Sequence, residues 1–353
     1  MMNPLLLLAW LILAHLASDF LLQTGRIARA KAASGSRAIG GLGAHGLIVA
    51  ICLVPVGLAL GGVGWVVVAL VAISHVIIDR TKIVLTRRAA ASALREARDR
   101  HEGPQPPDHL GRAWTPRPAA LFLADQAAHL AVLGIAVALV PPNAGLQSGW
   151  IDVVNRVLGG QDRAAVHAVV SVTVVFAILL IVNIRAASLF VSILVRPVEQ
   201  SGGETRWGGR VAPATNPSPT APPGSGPSAP RRWSVRIGPL DARIEAEPDR
   251  SPADPAEVAG LSAPSEPGSG PMGANARVGA TIGVLERILI VVFVLTGSEA
   301  AVGFVVAAKT LARFRLLDDR DFAEYYLLGT LASVAVAIVS GLAARAALAT
   351  LLA

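Results

Sequence analysis

The sequence predicts an all-α integral membrane protein, a polytopic bundle of about eight transmembrane helices with a disordered linker. Three observations support this fold class. The 353 residues are 53% hydrophobic and only 16% charged, whereas typical soluble domains carry about 25% charged residues. Apolar runs of membrane-spanning length recur along the chain. A stretch rich in Pro, Gly and Ser interrupts them, as is typical of a disordered linker.

The apolar runs predict helices at residues 4–24, 40–60, 64–85, 118–141, 166–196, 279–296, 299–315 and 323–350. The seventh is only about long enough to cross a bilayer at roughly 1.5 Å per residue, so six full spans with a re-entrant hairpin remain the alternative. The chain therefore divides into a five-helix block at 1–196, a linker at 197–275 and a three-helix block at 276–353.

One segment of the linker differs from its surroundings. In residues 232–247, apolar and polar side chains alternate on both sides of Gly238-Pro239. This pattern is typical of a short β-hairpin, although a fluctuating linker segment is the preferred interpretation. We expect the linker to bind a partner on the cytoplasmic side of the membrane. We expect membrane lipids to surround the helices.

The distribution of arginine and lysine predicts orientation. The segments after the first and third predicted helices are rich in basic residues, whereas those after the second and fourth carry few. By the positive-inside rule the N-terminus lies outside the membrane and the basic segments lie in the cytoplasm. The net charge of +7 does not predict nucleic-acid binding, because no basic stripe alternates with aromatic residues. The lone Cys52 excludes a disulfide within the chain and a thiolate metal site.

Six ionisable residues inside the apolar runs form three His–Asp pairs. Each pair is spaced i,i+4, so both side chains share one helix face. The third pair has the reverse order, and its helix crosses in the opposite direction, so all three His lie at one depth and all three Asp at another. The pairs are His15/Asp19, His75/Asp79 and Asp125/His129.

Imidazole and carboxylate groups are the ligands of Zn²⁺, Fe²⁺ and Mn²⁺, and i,i+4 pairs on facing helices build metal sites in bundle cores. The six paired residues are the predicted metal ligands, and His45, level with the Asp layer, is a further ligand or base. A bound metal would support hydrolysis of a lipid-linked or membrane-proximal ester or phosphoester. Two alternatives stay open: a transporter that uses these residues as a proton or ion relay, and a scaffold held by His–Asp hydrogen bonds.

Three basic residues elsewhere in the apolar runs, Lys82, Lys309 and Arg313, can each be interpreted in two ways. Glu286 and Lys309 lie at equal depth on either side of the Gly297-Ser298 turn, which predicts an ion pair. Lys309 or Arg313 would hold an anionic substrate, or both anchor the helices at the inner interface. Lys82 is a counter-ion or, preferably, a lysine that extends to the interface.

Short polar motifs recur in both predicted membrane blocks. They are His15-Leu-Ala-Ser-Asp19 through Gln23, His45, His75 through Lys82, Asp125-Gln126-Ala-Ala-His129, Leu285-Glu286-Arg287, Ala307 to Lys309, Arg313-Phe314, Glu324-Tyr325, Gly329-Thr330 and Ser333. In these motifs the chain resembles a bacterial multipass membrane family, domain-of-unknown-function family 3307. The resemblance implies a location in a bacterial inner membrane and no established activity. A looser similarity connects the chain to membrane-bound metal-dependent hydrolases.

Overall fold

The computed structural model describes residues 3–99, 112–157, 163–196, 198–201, 204–205, 232–237, 240–245 and 271–353. The described residues up to 205 and those from 278 onward belong to one compact unit, and the hairpin strands at 232–237 and 240–245 belong to a second. The linker otherwise lies almost wholly outside the described residues, so the prediction that it is disordered stays a prediction.

Nearly all the described secondary structure is helical. The N-terminal block contains α1 (Pro4–Leu16) with a π-helical turn (Ala17–Leu22), α2 (Gly25–Lys31), α3 (Gly35–Leu60), α4 (Gly62–Asp99), α5 (Arg117–Ala138), α6 (Ser148–Val157), α7 (Arg163–Ile181) with a second π-helical turn (Val182–Ala186), and α8 (Ala187–Val195). The C-terminal block contains α9 (Pro271–Leu295), α10 (Ala300–Ala312), a 3₁₀ turn (Phe314–Leu316) and α11 (Arg320–Leu352).

Within the described residues, six helices are long and apolar enough to cross a membrane. They are Pro4–Leu22, Gly35–Leu60, Gly62–Ala97, Arg117–Ala138, Ala164–Val195 and Phe322–Leu352. At its 13 residues, α10 is about 20 Å long and is too short for a hydrocarbon core of about 30 Å. The described residues thus hold six such helices where the sequence predicts eight spans, and a re-entrant hairpin that includes α10 stays the alternative. Gly297, at φ +71°, makes the turn between α9 and α10.

The predicted end of the third helix is wrong. The prediction stopped at residue 85, where the apolar run ends, but α4 continues to Asp99. The added segment is rich in Ala and Arg, which are strong helix formers in water. Its arginines therefore lie on a helix and not in a loop.

A tight hairpin joins α3 to α4. Gly61 has φ +63°, a conformation that glycine adopts without steric cost. Beyond the turn the two helices pack closely, because a Cβ at Gly64 would lie 2.4 Å from the carbonyl oxygen of Val56. Asn3 begins α1 by accepting hydrogen bonds from the backbone N–H groups of Leu5 and Leu6.

Two apolar cores hold the bundle together. The first lies between α1, α3, α4 and α5, and includes Leu11, Val49, Leu53, Val71 and Leu133. We call these five residues the apolar plug. The second core joins α7 to α9, α10 and α11. The fifth predicted helix therefore packs with the C-terminal block, although the linker separates them in sequence.

The described strands are short. Arg112–Ala113 pairs antiparallel with Val198–Ser201, which pairs with Glu204–Thr205. In the linker, Arg232–Ile237 pairs antiparallel with Leu240–Glu245. The hairpin predicted from the alternating pattern is therefore present in these two strands.

Candidate metal centre

Four helices bring seven ionisable side chains together at one level of the bundle. The first helix with its π-helical turn, and the fourth and fifth helices, each supply a histidine and an aspartate, and the third supplies a histidine. We call these residues the His/Asp cluster: His15, Asp19, His45, His75, Asp79, Asp125 and His129. Each side chain is at most 9% exposed. So many buried ionisable groups are costly unless they satisfy one another or a ligand.

Three imidazole rings form one layer of the cluster. The ring centroids of His15 and His129 lie 4.6 Å apart, those of His75 and His129 4.3 Å apart, and those of His15 and His75 5.3 Å apart. One ring nitrogen from each histidine lies within 4.8 Å of those from the other two. The reversed order of the third pair thus has the geometric result expected from the sequence.

Hydrogen bonds in the cluster run between helices more than within them. The carboxylate oxygen Oδ1 of Asp19 lies 3.0 Å from Nε2 of His45 and 3.1 Å from Nε2 of His75. By contrast, the i,i+4 pair of His75 and Asp79 is separated by 3.8 Å. The π-helical turn Ala17–Leu22 explains this arrangement, because its wider turn moves Asp19 out of register with the preceding α-helix and toward α3 and α4.

These contacts determine which ring nitrogens carry protons in the neutral histidines. Nε2 of His45 and Nε2 of His75 lie 2.9 Å from each other, and both lie within hydrogen-bonding distance of Oδ1 of Asp19. The carboxylate is a stronger acceptor than a neutral imidazole, so both nitrogens donate to Asp19 and each Nδ1 keeps its lone pair. His129 donates Nδ1–H to the backbone carbonyl of Asp125 at 2.8 Å, which leaves its Nε2 as the acceptor. His15 donates Nε2–H to Oε1 of Gln126 at 3.4 Å, which leaves its Nδ1.

All four of the remaining lone pairs are buried without a partner. Nδ1 of His15, His45 and His75 and Nε2 of His129 have no hydrogen-bond partner among the described residues. The carboxylate oxygen Oδ1 of Asp125 is also buried and unpartnered. Imidazole lone pairs fixed by a hydrogen bond at the opposite nitrogen are the arrangement found in protein ligands to metals.

Two lysines neutralise the other two aspartates. Lys31, the last residue of α2, donates from Nζ to Oδ2 of Asp79 and to Oε1 of Gln23, the latter at 2.6 Å. Lys82 donates from Nζ to Oδ2 of Asp125 at 2.7 Å. With the histidines neutral, three carboxylates and two ammonium groups give the cluster a net charge of −1.

Sequence reasoning missed one of these lysines and misassigned the other. Lys31 lies in a basic segment and was counted only as an orientation signal, but it is 6% exposed. Its helix packs tightly on α3, where a Cβ at Gly41 would lie 2.5 Å from the backbone nitrogen of Lys31. Lys82, for which an interface role was preferred, is a counter-ion of Asp125. The i,i+3 spacing of Lys82 from Asp79 indicates that Lys82 can be a counter-ion of a carboxylate. No local pattern indicates that Lys31 is buried in the cluster.

The two C-terminal cations predicted to hold an anion lie outside the cluster. Lys309 pairs with Glu286 at 2.5 Å, as expected from their equal depth, and its Nζ lies 5.8 Å from the ring centroid of Tyr326. No hydrogen bond or ion pair among the described residues joins Lys309 or Arg313 to the His/Asp cluster. The structure therefore gives these two residues no place in the candidate metal centre.

A buried arginine in the second core was also missed. Arg287 is 3% exposed and donates from Nε to the backbone carbonyl of Asn183 at 2.6 Å. Its other nitrogens donate to the hydroxyl groups of Ser333 and Ser188 at 3.1 and 2.6 Å. The π-helical turn at 182–186 frees the Asn183 carbonyl for this contact. Arg287 therefore fastens α9 to α7, α8 and α11, and does not serve as an interface anchor.

Residues 7–158 match the family model described as a protein of unknown function, DUF3307. The match includes all seven residues of the His/Asp cluster and confirms the family that the sequence resembles. The C-terminal motifs of that resemblance lie outside the matched residues. Neither the comparison with curated proteins nor the comparison with solved structures found a match.

Proposed function

We propose that this chain is an integral protein of the bacterial cytoplasmic membrane and that the His/Asp cluster binds a divalent metal ion. The observation that carries the proposal is the set of four buried imidazole lone pairs without a partner. Three of them belong to the layer of His15, His75 and His129, the ligand type and number found in three-histidine zinc sites. Zinc is the leading candidate, with iron and manganese as alternatives.

The geometry of the layer supports such a site. In a tetrahedral zinc centre the ligand nitrogens lie about 3.4 Å apart, given Zn–N distances of about 2.0–2.1 Å. The ring nitrogens of the three histidines are already within 4.8 Å of one another. Binding through one nitrogen of each ring therefore requires each pair of these nitrogens to approach by at most about 1.4 Å.

The charge of the cluster also favours a cation. The carboxylate of Asp19 lies beside neutral imidazoles and has no ammonium partner in the described part of the chain, whereas Asp79 and Asp125 each contact a lysine. A divalent ion beside His75 would offset this remaining negative charge. Asp19 is then the carboxylate that orients a histidine ligand, a role that is common around protein-bound metals.

The apolar plug distinguishes this proposal from a transporter. The plug residues lie one or two helical turns from the histidines on the side of the α3–α4 turn. Leu11, Leu53 and Leu133 are each at most 1% exposed. Between α1, α3, α4 and α5, hydrocarbon therefore closes the histidine layer on the side of the α3–α4 turn, which suits a reaction site better than a path across the membrane. The unpartnered nitrogens likewise argue against a purely structural, fully paired layer.

Hydrolysis of a membrane-proximal ester or phosphoester is the reaction that we infer for this site. A divalent metal lowers the pKa of a coordinated water and makes hydroxide available at neutral pH. In ester hydrolysis, the hydroxyl group adds to the carbonyl carbon, the ester C–O bond breaks, and the leaving alkoxide takes the remaining proton. His45, with a free Nδ1 next to His75, is the residue that we propose to accept and return that proton.

Metal analysis of the purified protein tests the proposal. We expect near-stoichiometric zinc, iron or manganese in the detergent-solubilised parent and its loss in the variant His15→Ala/His129→Ala. The matched control is His167→Ala, which removes a half-buried histidine of α7 outside the cluster. Size-exclusion profiles establish that all three proteins are folded. A folded parent without metal, after growth and purification with each of the three metals supplied, contradicts the proposal.

The proposed orientation has a separate test. In a background without the native cysteine, Ser34→Cys lies near the start of α3 and Ser148→Cys lies beyond α5, both at exposed positions. With the N-terminus outside, a membrane-impermeant maleimide labels the cysteine at 148 in intact spheroplasts and labels the one at 34 only after permeabilisation. The reverse pattern contradicts the orientation. A cytoplasmic partner for the linker stays a prediction.

A further inference from the structure

A cavity of about 440 Å³ lies beside the His/Asp cluster, between α1, α5, α7, α8 and α11. Its walls are almost entirely aliphatic and aromatic. The few polar side chains on it include His15 and Gln126, which lie together, and Ser340 and Thr350 on α11. The cavity therefore joins a long apolar space to one face of the candidate metal centre.

We propose that this cavity binds the hydrocarbon chain of a single membrane lipid and presents the polar linkage of that lipid to the cluster. The inference deepens the proposed function, on which it rests for the chemistry at the polar end. It names the substrate class: a lipid whose ester or phosphoester bond lies next to an extended chain.

The surroundings of the cavity favour a lipid. Every helix that lines it belongs to a segment long and apolar enough to span a membrane. Lipid chains are the solvent at such a surface, and a polar ligand would lose its hydration there without compensating hydrogen bonds.

The dimensions of the cavity suit one lipid chain. Its lining extends along α1 from Leu5 to Leu16, a distance of about 16 Å. Its volume of about 440 Å³ lies within the range typical of small-molecule sites.

The polar end of the cavity is the expected position of the ester or phosphoester group of the lipid. Nε2 of His15 contacts Oε1 of Gln126 at 3.4 Å, and the Nε2 group of Gln126 donates to Oδ2 of Asp125 at 2.9 Å. These two side chains form the boundary between the hydrocarbon walls and the histidine layer. A chain that occupies the cavity therefore brings its attached ester or phosphoester beside His15, whose Nδ1 is one of the proposed metal ligands.

Photocross-linking tests the inference. The probe is phosphatidylethanolamine with a diazirine in one acyl chain, incorporated into micelles with the full-length protein. We expect cross-links at lining residues such as Ile12, Leu130 and Ile178. Ala343→Phe fills the cavity from α11 and should reduce these cross-links by roughly fivefold or more. Ala346→Phe is the matched control, an exposed alanine on the same helix outside the cavity.

The outcomes separate this inference from the proposed metal site. Cross-links spread evenly over outward positions such as Leu331 and Val339, with no decrease in Ala343→Phe, overturn the cavity inference. Metal content measured on the same samples is independent, because Ala343 is not a ligand. Cavity cross-links in a folded protein without metal support the lipid site and contradict the metal site. Bound metal without cavity cross-links supports the metal site and contradicts the lipid site.

Discussion

Replacing Asp19 by asparagine should weaken metal binding by about 10- to 100-fold while leaving the fold intact. The carboxylate accepts hydrogen bonds from Nε2 of both His45 and His75, at 3.0 and 3.1 Å. Hydrogen bonds to a charged group contribute about 1.5–3 kcal/mol each, and a neutral acceptor retains about half of that. The two bonds together therefore lose about 1.5–3 kcal/mol, which corresponds to the stated range at 1.4 kcal/mol per tenfold.

The assay is competition for zinc between the solubilised protein and a chromophoric chelator. Asp152→Asn is the matched control, because Asp152 lies on α6 outside the cluster. Asp19→Glu keeps the charge and should recover part of the lost affinity. A zinc affinity of Asp19→Asn within about twofold of the control would refute the reasoning that this carboxylate orients the ligand histidines.

The cluster and the fold give two further predictions. Lys31→Gln should raise zinc affinity about tenfold or more, because an ammonium about 6 Å from a divalent ion costs about 1.4 kcal/mol even at the dielectric constant of water. Lys309→Gln is the control and should leave zinc affinity unchanged. An unchanged zinc affinity in Lys31→Gln would contradict the charge argument. Gly61→Ala should destabilise the α3–α4 hairpin by about 1–2 kcal/mol because of its positive φ. Gly62→Ala meets no neighbour and should keep the parental melting temperature in detergent, so equal melting temperatures for the two variants would argue against strain at Gly61.

The sequence predicted the helices and the shared depth of the histidines because both depend on local periodicity. Apolar runs mark the helix positions, and i,i+4 spacing places two side chains on one face. The reversed order of Asp125 and His129 carries long-range information, since it encodes the direction of α5. Helix ends were less predictable: α4 continues beyond its apolar part because residues after 85 are strong helix formers in water.

The contacts within the cluster could not be predicted in the same way. A π-helical turn changes the direction of Asp19 by inserting an extra residue into the turn, and no feature of residues 17–22 announced it. The burial of Lys31 depends on how α2 packs on Gly41 of α3, which is a tertiary contact. The packing of α7 with the C-terminal helices likewise follows from shape complementarity across a sequence gap.

X-ray absorption spectroscopy of the zinc-loaded protein tests the central claim most directly. The account predicts nitrogen scatterers at about 2.0–2.1 Å with the outer-shell pattern of imidazole rings. It also predicts that this pattern diminishes in the variant His15→Ala/His129→Ala and persists in His167→Ala. A zinc environment of oxygen ligands alone, or an identical spectrum in the parent and the double variant, would contradict a metal centre built on the His15, His75 and His129 layer.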